Sequence, residues 1–141
     1  MSCRFSFIMG VEVFLCMKYP KFLNEKYNTI GVCAMSSGVG HKLDSFDASI
    51  EYIQSNGFHV ETASVRNNSE PSIDAKTRVD ELNSLVNDSS VGAVWLAAGG
   101  DFQFETLPYI DFDWIEKNPK WYLGASDPTN LLFPITCKCD L

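Results

Sequence analysis

The nine residues Trp121-Tyr122-Leu123-Gly124-Ala125-Ser126-Asp127-Pro128-Thr129 hold the most chemistry in this chain. A short apolar run reaches a small-residue corner, presents one serine, and meets Asp-Pro, a pair that opens helices. A strand-to-helix turn of this kind exposes a hydroxyl at a fixed angle, as an attacking nucleophile requires. On this reading Ser126 attacks, Asp127 is the N-cap and Pro128 takes the first helical position. The Asp127 N–H then faces a developing oxyanion. A plain helix cap accounts for the same residues equally well.

A serine hydroxyl attacks only when a base takes its proton. The histidines are His41 and His59, and none follows Asp127-Pro128. His41 falls just past the end of an apolar run and can approach the serine; a solvated loop histidine fits it as well. His59 opens a strand and so belongs to the opposite edge of a sheet. Gly99-Gly100 can supply the other oxyanion donors, since glycine permits unusual backbone angles and close approach. A tight turn after a buried strand is the alternative. Ser36-Ser37-Gly38-Val39-Gly40 lacks the spacing of a dinucleotide loop, and no acidic residue ends the run 58–63 for ribose recognition.

The elements that must position these residues alternate. Residues 29–35 form a continuous apolar run. Phe46, Ile50 and Ile53 then recur at helical spacing and Asn56-Gly57 stops the helix. Residues 58–63 read as a second strand. Asp74 can cap a helix carrying Val79, Leu82, Leu85 and Val86, and residues 91–98 are a strand covered on both faces. Short helical turns are expected near 103–107 and 113–117, and a fourth strand over 121–125. Strands separated by helices of this length imply right-handed crossovers and a mainly parallel sheet, an α/β, flavodoxin- or Rossmann-like three-layer fold. Ser36-Ser37-Gly38, Gly99-Gly100 and Ser126 all fall at carboxyl ends of strands, where such sheets bind ligands.

A chain of 141 residues, 45% hydrophobic and 21% charged, suits one globular domain. Its formal net charge of −7 argues against nucleic acid, and the lack of a basic run argues against an anionic membrane surface. Five cysteines at irregular spacing suit a reducing compartment. Cys137-Lys138-Cys139 would be half a metal site, with no second cluster to complete it. Residues 1–16 hold an apolar stretch broken by Glu12, without a small-residue cleavage site and too short to span a bilayer. They read as an extension outside the fold, with Met17-Lys18 opening a domain over 17–141.

Three ordered segments resemble the LD-carboxypeptidase family of serine peptidases, which includes murein tetrapeptide carboxypeptidases and microcin C self-immunity peptidases. They are Val94-Trp95-Leu96-Ala97-Ala98-Gly99-Gly100, Leu107-Pro108-Tyr109-Ile110-Asp111-Phe112-Asp113, and Asn118-Pro119-Lys120 running through Trp121 to Thr129. Residues 30–38 and Arg78-Val79-Asp80-Glu81-Leu82-Asn83 extend the match. The resemblance implies a cytoplasmic hydrolase with a Ser-His-Glu triad, no metal and no organic cofactor. It implies that Ser126 is the nucleophile and that the N–H groups of Asp127, Gly99 and Gly100 line the oxyanion hole. The implied substrates are amide bonds next to a D-amino acid in cell-wall peptides, or peptidyl-nucleotide antibiotics.

In that family the glutamate and histidine come from a carboxyl-terminal domain, and no residue here matches them. The chain thus reads as the amino-terminal half of a two-domain peptidase, inactive alone, with that domain as the missing partner. A non-catalytic flavodoxin-like binding module or relic is the alternative. Residues 131–135 are where an uncovered apolar surface, and with it a homodimer, is expected.

Overall fold

The computed structural model describes residues 18–141 and the backbone of two earlier strands, β1 (Arg4–Ile8) and β2 (Val11–Leu15). Those two pair antiparallel in a sheet of their own, with Glu12 opposite Phe7. Met17, read as the opening of the domain, lies outside the described residues, as do Cys3 and Cys16.

The rest alternates as the periodicity predicts: β3 (Thr29–Cys33), α1 (Leu43–Ser55), β4 (His59–Thr62), α2 (Ala75–Asn87), β5 (Val91–Leu96), α3 (Phe112–Lys117), β6 (Trp121–Leu123) and α4 (Thr129–Cys139). The four later strands form one parallel sheet in the order β4-β3-β5-β6. The chain leaves β3 toward β4 on one side and returns to β5 on the other. The carboxyl ends of β3 and β5 therefore flank a topological switch point, where α/β sheets open a crevice.

Period-two alternation divides the apolar runs between two cores. Cys33, Met35, Val94 and Leu96 pack with Val79, Leu82, Leu85 and Val86 of α2 and with α3 and α4. Val32, Ala34 and Phe46 pack on the other face, with Ile30, Trp95 and Ala97 against them. Burial on both faces is why β3 and β5 are apolar throughout. Burial also pushes the Cys33 thiol up to about 12, and the Glu81 charge adds to the shift, so this cysteine is a core residue. Asp74 caps α2, accepting from the Thr77 N–H at 3.0 Å and the Thr77 hydroxyl at 2.6 Å.

One expectation needs correction here. Residues 131–135 are not an exposed apolar surface. They lie in α4, where Leu131, Ile135 and Cys139 recur every four residues and are buried, leaving Phe133 outside. The uncovered apolar surface lies instead where α1 stops short of β5 and β6. A groove of about 640 Å³ opens there between Tyr52, Ile53, Trp95 and Leu123. Cys137 is exposed, while the buried Cys139 Sγ donates to the Phe112 carbonyl. Among the described residues no helix is long and apolar enough to cross a membrane.

Candidate active site

The loops that follow β3, β5 and β6 meet at the carboxyl edge of the sheet. β6 ends at Leu123, and three residues later Ser126 takes a left-handed conformation with φ 64°. Serine rarely occupies that region, and such strain collects at functional sites. The next residues close tightly into α4: the Thr129 and Asn130 N–H groups donate to the Ser126 and Asp127 carbonyls, both at 2.9 Å. Ser126 is exposed, and its Oγ makes no hydrogen bond among the described residues.

Asp127 does not cap the helix as its position predicted. α4 opens at Pro128 without a side-chain cap. The turn at Ser126 swings the Asp127 carboxylate back toward the sheet, where it joins all three loops. Its Oδ2 accepts from the Ser36 hydroxyl at 2.5 Å and the Gln103 N–H at 2.8 Å, and its Oδ1 accepts from Asn130 Nδ2 at 2.7 Å. Ser36 Oγ in turn accepts from the Phe102 N–H at 3.1 Å. Partial burial opposes ionisation of Asp127. The donors from Ser36, Gln103 and Asn130 outweigh it and hold the carboxyl below its ordinary range.

Such a group adds stability that is complete above its unfolded pKa, about 3.9, and lost as pH falls through the lower folded value. Asp127→Asn cannot reproduce this, since the amide turns an N–H donor toward donors. We expect its thermal midpoint to lie below that of the parent at pH 7. The two should converge as pH falls below about 3.9, through the lowered folded value, measured by circular dichroism. A constant offset across that range would mean that the charge of Asp127 is irrelevant.

The Gly99-Gly100 turn lies against this corner. A methyl group on Gly99 would stand 3.2 Å from both Cβ and Oγ of Ser126. Gly100 has φ 137°, and a Cβ there would come within 2.3 Å of Ser37 Oγ and 2.5 Å of Ser36 Oγ. A side chain at Gly100 would displace a serine, whereas one at Gly99 would need Ser126 to give by only about a few tenths of an ångström. The N–H groups of Gly99, Gly100 and Asp127 donate to no acceptor among the described residues. The structure thus brings together Ser126, Asp127 and Gly99, with Gly100 on the two serines after β3. His41 is exposed in the turn Gly40–Lys42, on the rim of a depression floored by Ser37 and the two glycines. His59 pairs with Thr29 at the start of β4, on the far edge.

Residues 30–141 match the model of the LD-carboxypeptidase N-terminal domain. The chain belongs to that family. It is 33% identical over 98 residues to the microcin C7 self-immunity protein MccF of Escherichia coli, a match covering 68% of this chain and 28% of that protein. It is 32% identical over 114 residues to the Bacillus subtilis protein named as a probable murein peptide carboxypeptidase, covering 79% and 35%. MccF in its wild-type apo state superposes with a TM-score of 0.79 at 29% identity, over 89% of this chain and 38% of that one. MccF has also been solved with aspartyl sulfamoyl adenosine. This LD-carboxypeptidase domain spans about a third of the length of these relatives.

Two residues that position the site escaped the sequence reading. In sequence Ser36 is one residue of a small polar loop, yet its hydroxyl joins Asp127 to Phe102. Arg78 is one residue of the helix that resembles the family, yet its guanidinium is fully buried beneath the site. An arginine beside Val79, on the apolar side of α2, was the available signal.

Proposed function

We propose that this domain is the nucleophile half of a serine carboxypeptidase. Its substrates would be amide bonds in cell-wall peptides or in peptidyl-nucleotide compounds. Ser126 attacks the carbonyl carbon, and the N–H groups of Asp127, Gly99 and Gly100 receive the oxyanion. The base and its orienting carboxylate come from polypeptide of the kind the longer relatives carry beyond the matched third. One observation supports this above the rest: Ser126 is held at φ 64° against Gly99, with unused N–H donors beside it. Capping does not account for it, because the Asp127 side chain is committed elsewhere. The names of the relatives supply both substrate classes, and the irregular cysteine spacing supports a cytoplasmic location.

The test is selective phosphonylation, in which Ser126 Oγ displaces fluoride from phosphorus. Excess fluorophosphonate at pH 9 is expected to modify Ser126 ahead of the other exposed serines, as mapped by tandem mass spectrometry, and to leave Ser126→Ala unmodified. Adducts spread evenly over surface hydroxyls would remove Ser126 as the nucleophile.

A further inference from the structure

Of the 11 lysines and arginines in a chain of net charge −7, four converge on one depression. Lys21, Lys26, Lys117 and Lys120 line about 320 Å³ at the amino edge of the sheet, where β5 opens at Val91 and Lys120 leads into β6. No carboxylate lines it. Among the described residues none of the four is in an ion pair. Asp88, whose charge reaches Lys120, is engaged with the Ser90 N–H and hydroxyl, both at 2.7 Å. Glu116, whose charge reaches Lys117, is paired with Lys18. The four lysines come from separate parts of the chain, so no basic run announces them.

Tyr27 is shared by these cations. Its hydroxyl accepts from Lys21 Nζ at 2.7 Å, and the Lys21 and Lys26 ammoniums stand 4.7 and 5.4 Å from the centre of its ring. The Lys21 hydrogen bond, with the charges of Lys21 and Lys26, holds the phenol below its ordinary range. Its O–H is left to donate elsewhere. Burial lowers the pKa of Lys120, and the Lys21 charge pushes it the same way. Like charges gathered on one depression repel, and an anion between them offsets that cost. Helix ends explain only half of the cluster. Lys120 Nζ donates to the Asp88 and Val91 carbonyls at 2.7 and 2.6 Å, and Lys117 lies in the last turn of α3, where a cation suits the dipole. Lys21 and Lys26 precede β3 in the chain and serve no helix end. An arginine fork suits a planar carboxylate, whereas lysine is a point charge that suits phosphoryl oxygens spread in three dimensions. A concave depression of this size takes a small molecule rather than a polymer laid over a flat face.

We propose that this depression binds a small polyphosphorylated anion, with Lys21, Lys26 and Lys117 as its cations and the Tyr27 hydroxyl as a neutral donor. It lies at the opposite ends of the strands from Ser126, so its test is independent of the nucleophile. The probe is inorganic tripolyphosphate, titrated into the 141-residue chain at constant ionic strength and followed by the amide resonances of Tyr27, Gly92 and Asn118. Saturable shifts are expected, with a dissociation constant on the order of millimolar, because exposed ion pairs are individually weak. Orthophosphate, with fewer charges, and tricarballylate, with planar carboxylates, are each expected to bind about tenfold more weakly. Lys21→Gln, Lys26→Gln and Lys117→Gln should each weaken tripolyphosphate about threefold, and the triple variant about thirtyfold. Lys138→Gln removes the same charge from beside Phe112 and should leave binding unchanged. The three lysines are exposed, so the thermal midpoints without ligand should stay within about 2 °C of the parent. Absent saturation or equal binding of tricarballylate would overturn the proposal. An equal loss in Lys138→Gln would overturn it too, since only the overall charge would then matter. A single-stranded oligonucleotide that binds more tightly than tripolyphosphate would make the partner a polymer and overturn the small ligand.

Discussion

Hydrolysis of an L,D-tetrapeptide by the 141-residue chain is expected to fall about 10⁴ to 10⁶ below that of a complete Ser-His-Glu site in kcat. The corner that presents Ser126 is formed, and the N–H groups of Asp127, Gly99 and Gly100 are uncommitted among the described residues. What the hydroxyl lacks is an acceptor for its proton, since Ser126 Oγ has no hydrogen-bond partner among the described residues. His41 is turned to the rim of the neighbouring depression, and His59 opens β4 on the opposite edge. Binding and the oxyanion donors can still contribute a residual acceleration over water, on the order of 10³ to 10⁴. Without an imidazole on the serine, that residual rate should show no inflection near pH 6.5, about the ordinary histidine pKa. The check is kcat against pH for the chain, Ser126→Ala and His41→Ala, with a longer relative assayed in parallel. Serine-dependent turnover within tenfold of that relative would mean that a base is already present. Its loss in His41→Ala would identify the base.

The elements were legible because burial on both faces leaves a plain trace. The runs 29–35 and 91–98 could hardly be anything but central parallel strands, and Val79, Leu82, Leu85 and Val86 are the buried face of α2. The strands end sooner than the apolar runs, at Cys33 and Leu96, because Ala34, Met35 and Ala97 leave the ladder while still packed in the cores. The convergence of three loops was legible from topology alone. What the residues do at that convergence was not. Asp127 has the local signature of a cap, and only its contacts across the sheet, to Ser36 and Gln103, show why it is not one. These contacts join residues far apart in the chain, and no short-range pattern encodes them. The apolar segment 131–135 misled for a related reason. Adjacent apolar residues look like a patch, whereas helical spacing buries Leu131 and Ile135 and leaves Phe133 outside.

Arg78→Met is expected to lower the thermal midpoint by about 10 °C, the largest stability loss of any single substitution around the site. Arg78 is fully buried, and its guanidinium spans three elements. Nη1 donates to the Met35 carbonyl at 2.6 Å and the Phe102 carbonyl at 3.0 Å, and Nη2 to Glu105 Oε2 at 2.8 Å. It therefore joins α2 to the end of β3 and to the loop after β5, on both sides of the Ser36 that holds Asp127. Methionine fills the volume but leaves the Met35 carbonyl without a donor, the Phe102 carbonyl with only the Glu105 N–H at 3.3 Å, and Glu105 without its cation. Breaking a buried charge pair costs about 3 to 5 kcal/mol. Two features favour the lower end. The Glu105 side chain is 39% exposed and regains solvent, and Arg78 Nε has no partner, so the guanidinium was never fully satisfied. About 3 kcal/mol in a domain of this size corresponds to roughly 10 °C. Arg78→Lys should recover only part of this, because one ammonium cannot reproduce the planar fork. Glu105→Gln should cost under about 1 kcal/mol, since its partner sits at an exposed end. A scan of the three variants decides the matter. If Arg78→Met melts within 2 °C of the parent, the Met35 carbonyl is served by something other than Arg78. If it melts early while Glu105→Gln does not, the buried cation acts through the backbone beneath Ser126 rather than through its ion pair.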